Sequence, residues 1–334
     1  MKFLNIIDNK INLKDRTYFS LIIGRSPSKG ARSPLLWNKA YNFFKKKTQM
    51  FPADVSEKNL PKICNYLKKD KYFLGSSVTI PHKESILRYL DIIDENAKVI
   101  GSINTIIKKK KKLFGLNTDY LGSLYTLRKT GIRRNKKKII ILGCGGAGKA
   151  CIISAINFFQ KSHILIYNRN QKKLKRFLKG IKNTNSNKVN LIKDLKHLYK
   201  IKKIDLIINT TSVGFDAWIK DKKYYNLCQF SPLGKISIKK IKKNDIFIFK
   251  NINYNNIKKN ILETFNILKR FENSVIFDII YQPYKTTLMT IGSLLGYKVI
   301  NGLDMNFIQA VEAFKKVNNI KNTKQVIKGM NYGK

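Results

Sequence analysis

Acidic side chains are scarce in this sequence. Of its 334 residues, 20 are Asp or Glu against 67 Lys or Arg, a formal net charge of +47. Such a surplus attracts polyanions at low salt, which puts nucleic-acid binding among the functions to weigh. The lysines, however, run through the whole chain, interleaved with Ile and Asn as in Ile238-Lys239-Lys240-Ile241-Lys242-Lys243-Asn244. Uniform enrichment in Lys, Ile and Asn is what an A+T-rich genome imposes through its codons. No zinc-finger spacing or RNA-recognition signature accompanies it, so no specific nucleic-acid partner is expected.

Histidine and cysteine are few as well. His82, His163 and His197 have no ligand spacing and form no HExxH, so no metal site is expected. Cys64, Cys144, Cys151 and Cys228 contain no CxxC pair and are expected to be reduced, small and buried. No run reaches the roughly eighteen apolar residues of a membrane helix. The first fifteen residues carry Asp8 and Asp15 and lack an apolar core, so no signal peptide is expected and the cytoplasm is the expected compartment. At 43% apolar residues, the chain has enough material for two domains with buried cores.

The apolar pattern predicts a strand over 18–24, then a helix opened by Ser33-Pro34, with Ser33 capping its amides. A helix near 59–69 leads to a strand over 75–81. Residues 103–108 and 113–117 read as a hairpin whose lysine-rich tip, 108–112, is a solvated turn. Further on, 138–142 is a short apolar run of the kind a buried parallel strand shows, and it flows into a glycine turn and a helix over 151–159. Strands over 164–167 and 205–209 follow, then a helix near 257–271, a strand over 275–280 and an amphipathic helix over 304–317. Alternation of strands and helices argues for an α/β fold with an open, mostly parallel sheet in the second half.

Gly143-Cys144-Gly145-Gly146-Ala147-Gly148, between strand and helix, leaves backbone amides free to approach a pyrophosphate. The next strand ends Asn168-Arg169-Asn170. Binders of NAD place a carboxylate there for the ribose hydroxyl; Arg169 instead suits the 2′-phosphate of NADP. Three segments of the first half, 77–83, 101–105 and 115–119, each put polar residues beside a strand end. They contain Lys83 and Asp119, an ionisable pair able to stabilise the alkoxide formed when hydride reduces a ketone.

Taken in order, Ser33-Pro34, SVTIPHK (77–83), GSINT (101–105), GLNTD (115–119), GCGGAGKA (143–150), YNRN (167–170), NTTSVG (209–214), DIIYQP (278–283) and NGLDMNFIQAVEAF (301–314) resemble the shikimate dehydrogenase family over residues 18–317. The resemblance implies two α/β domains with the site in the cleft between them. Residues 1–122, completed by C-terminal helices over 303–334, would bind substrate, and 123–302 would form a Rossmann domain for NADP with an insertion around 216–274. It implies Lys83 and Asp119 as the catalytic pair. Ser33, Thr79, Asn104, Tyr281 and Gln309 would contact substrate. Gly143, Gly145, Gly146, Ala147, Asn168 and Arg169 would contact the cofactor, with Thr211, Ser212 and Gly302 on its nicotinamide side. The activity implied is the reversible, NADPH-dependent reduction of 3-dehydroshikimate to shikimate, by a monomer or a homodimer.

The chain departs from the family pattern in three places. The first serine of the usual SxSP is Ala31, with Ser28 or Arg32 as the available substitutes for its hydroxyl. The usual Asn before VT is Ser77. The stretch 215–274 is tens of residues longer than usual and is expected to be an elaborated surface loop. Two rival functions are a dehydrogenase acting on quinate as well as shikimate, and a basic binding protein on a decayed dehydrogenase scaffold. Retention of Lys83, Asp119, Asn104 and Gln309 argues against decay.

Overall fold

The computed structural model describes residues 6–13, 17–181, 186–220, 223–242 and 245–331. Parts of two expectations lie outside the described residues: 221, 222, 243 and 244 of the insertion, and 332–334 of the closing helices. The chain divides into two compact units, Met1–Gly122 with Phe307–Lys334, and Ser123–Asn306.

The first unit contains β1 (Tyr18–Gly24), α1 (Ser33–Phe43), β2 (Thr48–Asp54), α2 (Leu60–Lys69), β3 (Phe73–Val78), β4 (Ile92–Ile93), α3 (Glu95–Ile100), β5 (Thr105–Lys109), β6 (Lys112–Leu116) and the first turn of α4 (Asp119–Lys129). The second contains β7 (Lys138–Leu142), α5 (Gly146–Phe158), β8 (His163–Tyr167), α6 (Gln171–Lys179), β9 (Lys188–Ile192), β10 (Leu206–Asn209), β11 (Ala217–Lys220), β12 (Lys223–Asn226), α7 (Ile246–Leu268), β13 (Val275–Asp278), α8 (Thr287–Leu294) and β14 (Lys298–Ile300). Of the closing helices α9 (Leu303–Asn318) and α10 (Thr323–Asn331), the part from Phe307 onward belongs to the first unit.

In the first unit the sheet order is β2-β1-β3-β5-β6-β4, with β1 parallel to β2 and β3 and with β5 antiparallel to both β3 and β6. Successive side chains of β1 serve opposite faces, as the strand's period of two requires. Leu21 and Ile23 enter a core with Ile63, Leu67 and Val78, while Ile22 enters another with Trp37, Tyr41 and Phe314. Phe314 stands edge-on to Trp37, with ring centres 5.3 Å apart, which fastens α9 to α1.

In the second unit the order is β14-β13-β10-β7-β8-β9, parallel throughout. From β7 the chain winds outward through β8 and β9, then returns to β10 on the other side and winds outward through β13 and β14. This is the doubly wound Rossmann order, and its switch point lies between β7 and β10. Ile139 and Ile141 face one core and Ile140 and Leu142 the other, which is why β7 reads as an unbroken apolar run.

Several expectations need correction. Ser33 is the first helical residue of α1, and Arg32 holds the N-cap position, so Ser33 is not the cap. Strand β3 stops at Val78, ahead of Pro81. The lysine run is mostly strand: Lys109 pairs with Lys112, and Lys108 Nζ donates to the Asp70 carbonyl. Helix α5 starts inside the glycine turn, at Gly146. Cys228 is only half-buried, unlike the other three cysteines.

The insertion is more than a surface loop. Helix α7 begins at Ile246, with Asp245 accepting from the Phe247 and Ile248 amides at 2.8 and 3.1 Å. Tyr224, Phe230, Ile241 and Phe249 form a small core of their own. Two buried asparagines of α7 replace missing backbone partners in the preceding coil. Asn260 accepts from Ser231 N at 2.7 Å and Asn253 from Lys239 N at 2.8 Å.

Candidate active site

The β5–β6 hairpin assembles the polar centre of the first unit. Its register sets Thr105 opposite Leu116, so Asn104, just before β5, and Thr118, two residues past β6, meet. Asn104 N donates to Leu116 O at 3.1 Å, and Thr118 N donates to Asn104 Oδ1 at 2.7 Å. Thr105 Oγ1 donates to the same Oδ1 at 3.0 Å. With its oxygen so occupied, Asn104 aims its Nδ2 at Asp119 Oδ1, 2.9 Å away, and at Gln309 Oε1, 3.2 Å away. Gln309 is brought in by α9, whose backbone carbonyl at Gln309 accepts from Thr118 Oγ1 at 3.0 Å.

Asp119 opens α4, where the positive end of the helix favours a carboxylate. Its Oδ2 accepts from Lys83 Nζ at 2.6 Å. The side chains of Lys83 and Asp119 are 16% and 6% exposed, so this is a nearly dry ion pair rather than a surface one. Lys83 is held from behind. Ile103 N donates to its carbonyl at 2.7 Å, next to Asn104. Its neighbour His82 is fully buried and donates from Nε2 to Val55 O at 2.6 Å. An ammonium so placed has one proton committed to Asp119 and can offer others to an oxygen that gains negative charge.

Thr79 sits on the same connection as Lys83, with its amide bonded to Ile23 O at 2.8 Å and its methyl against Gly24. Ser33, buried, starts α1. Ser77 Oγ is buried without a hydrogen-bond partner among the described residues. Ser28, one of the two substitutes considered for the Ala31 position, has its hydroxyl bonded to Asp54 Oδ2 at 2.5 Å.

In the second unit the glycine turn follows β7, and the Thr210-Thr211-Ser212 turn follows β10, one on each side of the switch point. Gly143 has φ +106°, and a Cβ there would lie 2.6 Å from Thr210 Oγ1. Gly145 is the N-cap of α5, offers no capping side chain, and a Cβ on it would meet nothing within 4 Å. Cys144 N donates to Asn168 Oδ1 at 3.1 Å, tying the glycine turn to the end of β8. Arg169 beside it is exposed. An open glycine at the start of a helix and an arginine in place of a carboxylate fit a dinucleotide carrying a 2′-phosphate.

Thr211 donates from N and Oγ1 to Asn209 Oδ1 at 3.0 and 2.8 Å, and Ser212 is exposed. Tyr281 is half-buried after β13. Gly302 N donates to Ile280 O at 3.0 Å, and a Cβ there would lie 1.8 Å from Ile279 O, which leaves no alternative to glycine. Sequence reasoning missed Asp278. It is completely buried, accepts from Asn209, Ile280 and Thr286, and burial pushes its carboxyl up to about 6. Its apolar neighbours, Val275-Ile276-Phe277 and Ile279-Ile280, are the available signal of such depth, but its hydrogen-bond partners cannot be read from them.

Residues 22–106 match the family model for the shikimate dehydrogenase substrate binding domain. The chain is 32% identical over 304 residues to the shikimate dehydrogenase (NADP(+)) of Caldicellulosiruptor saccharolyticus, across 88% of this chain and 90% of that one. It is 30% identical over 307 residues to that of Alkaliphilus oremlandii, across 91% and 92%. A crystal structure of a shikimate dehydrogenase in complex with NADP+ is similar with a TM-score of 0.70 at 25% identity, over 96% of both chains.

Proposed function

The chain belongs to the shikimate dehydrogenase family, and from that premise we propose that it is an NADP-dependent oxidoreductase interconverting 3-dehydroshikimate and shikimate. The observation that carries this is the Lys83–Asp119 pair, 2.6 Å apart, buried and braced by Asn104. The first unit then binds the hydroxy acid, with Ser33, Thr79, Asn104 and Gln309 as its contacts; Tyr281, the further substrate contact the resemblance implies, belongs to the second unit. The second holds the cofactor through Gly143, Gly145, Gly146, Ala147, Asn168 and Arg169, with Thr211, Ser212 and Gly302 toward the nicotinamide. Among the described residues no helix is long and apolar enough to cross a membrane. Four free cysteines suit the reducing cytoplasm.

Reduced NADP, when bound, supplies the hydride. As the ketone carbon takes it up, negative charge collects on the oxygen. Lys83 faces that oxygen, stabilises the charge and gives up a proton to form the alcohol; solvent then reprotonates the amine. Asp119 keeps the ammonium oriented and accepts from an adjacent substrate hydroxyl. Asn104 fixes the Asp119 carboxylate so that it does not turn away. In the oxidative direction the same lysine, as neutral amine, takes the hydroxyl proton.

The test is reduction of NADP+ followed by absorbance, with shikimate and then quinate as substrate. Turnover of shikimate with NADP+ is expected. Turnover of quinate at a comparable kcat/KM would place the protein among dual-specificity enzymes, and no turnover of either would refute the activity.

A further inference from the structure

Asp278 ends β13 opposite Asn209, the last residue of β10, in a part of the sheet where the chain enters two loops. Its Oδ1 accepts from Asn209 Nδ2 at 3.0 Å and from Ile280 N at 3.0 Å. Its Oδ2 accepts from Thr286 Oγ1 at 2.8 Å. Each of the first two partners governs one loop. Asn209 turns its own Oδ1 to Thr211 N and Oγ1, and its Nδ2 also reaches Val213 O at 3.1 Å, so the Thr211–Ser212 turn is folded around it. Ile280 precedes Tyr281, and its carbonyl accepts from Gly302 N at 3.0 Å.

One buried carboxylate thus ties together the three segments that carry Thr211 and Ser212, Tyr281, and Gly302. A carboxylate is suited to this because it only accepts, with two oxygens, so all its partners must point their N–H or O–H groups inward. An apolar side chain would itself be cheaper to bury but would leave the Asn209, Ile280 and Thr286 donors unpaired. Polar burial here specifies geometry.

We propose that Asp278 is a positioning residue for hydride transfer. Through Asn209 it sets the Thr211–Ser212 turn, and through Ile280 it sets the 279–281 segment, which together hold the nicotinamide end of the cofactor. The proposal rests on the assignment of Thr211, Ser212 and Gly302 to the nicotinamide side. Asp278 acts through these residues and touches neither reactant.

The test compares wild type with Asp278→Ala, Asp278→Asn, Asn209→Ala and Thr286→Ala in shikimate oxidation by NADP+. It also measures binding of adenosine 2′,5′-bisphosphate, a fragment with no nicotinamide. Asp278→Ala and Asn209→Ala are expected to lower kcat by about tenfold or more, while fragment affinity stays within about twofold. Asp278→Asn keeps an acceptor for Asn209 and Ile280 and is expected to recover most of the loss. Thr286→Ala leaves the Asn209 branch intact and is expected to hold kcat within about threefold. If Asp278→Ala does not fold, Asn209→Ala carries the comparison. Wild-type-like kcat in folded Asp278→Ala or Asn209→Ala, parallel losses of kcat and fragment binding, or an equal loss in Thr286→Ala overturns the proposal. An inactive wild type overturns the dehydrogenase function as well, which separates the two failures.

Discussion

Ser28 is bound to Asp54 twice: its hydroxyl donates to Oδ2 at 2.5 Å and its amide to Oδ1 at 3.0 Å. The loop that leads to α1 is pinned by this contact, and the Ser28 hydroxyl proton is committed to a carboxylate. It therefore does not stand in for the hydroxyl missing at Ala31. Ala31→Ser should tighten shikimate binding by up to about 1 kcal/mol, one net neutral hydrogen bond. Titration of shikimate into the two proteins checks this; unchanged or weaker binding assigns the carboxylate to another donor, with Arg32 the remaining substitute.

Arg169 is exposed two residues after β8, beside Asn168, with no carboxylate in the Asn168-Arg169-Asn170 turn. Wild type should use NADP(H) far better than NAD(H). Arg169→Ala should raise KM for NADPH by about tenfold or more, the loss of one charge-assisted pair, and scarcely alter KM for NADH. Equal use of the two cofactors by wild type contradicts this assignment.

Asp278 gives a pH signature in stability. Burial raises its pKa from 3.8 to about 6. Between about pH 4 and 6 the folded protein keeps a proton that the unfolded chain releases, so this carboxyl's contribution falls as pH rises through the window and is level above it. The total is on the order of 3 kcal/mol. Asp278→Asn lacks the titration, so its unfolding free energy minus that of wild type should rise by about 2–3 kcal/mol from pH 4 to pH 7 in denaturant titrations. A flat or falling difference contradicts a carboxyl raised by burial.

Features decided by local pattern were legible in the sequence. Strand β7 declares itself because both its faces are buried, and the glycine turn because a Cβ at Gly143 has no room. The hairpin at 105–116 was legible from its apolar arms and charged tip. Long-range polar pairing was not. Ser28–Asp54 and Asn209–Asp278 span 26 and 69 residues, and each partner alone resembles an ordinary turn residue. Helix α7 was half hidden because its first turn, Ile246-Phe247-Ile248, is exposed and so breaks the apolar periodicity that marks a helix. Helix α5 starts before its apolar run because Gly146 and Gly148, poor helix formers, are kept at its start by close packing of Gly148 against Thr210. Of the Lys83 network, the motifs showed the members; the hairpin register and the return of α9 supply the contacts.

The central claim is that Lys83, held 2.6 Å from Asp119, stabilises the oxygen that receives charge as hydride moves. The most direct measurement is kcat for shikimate oxidation by folded Lys83→Ala, Asp119→Asn and the double variant, each shown to bind NADP+ like wild type. Lys83→Ala should lower kcat by about 10²–10⁴-fold, and the double variant should lose much less than the product of the two single losses. A Lys83→Ala enzyme with kcat within a few-fold of wild type would make Lys83 one more lysine in a lysine-rich chain and contradict the mechanism.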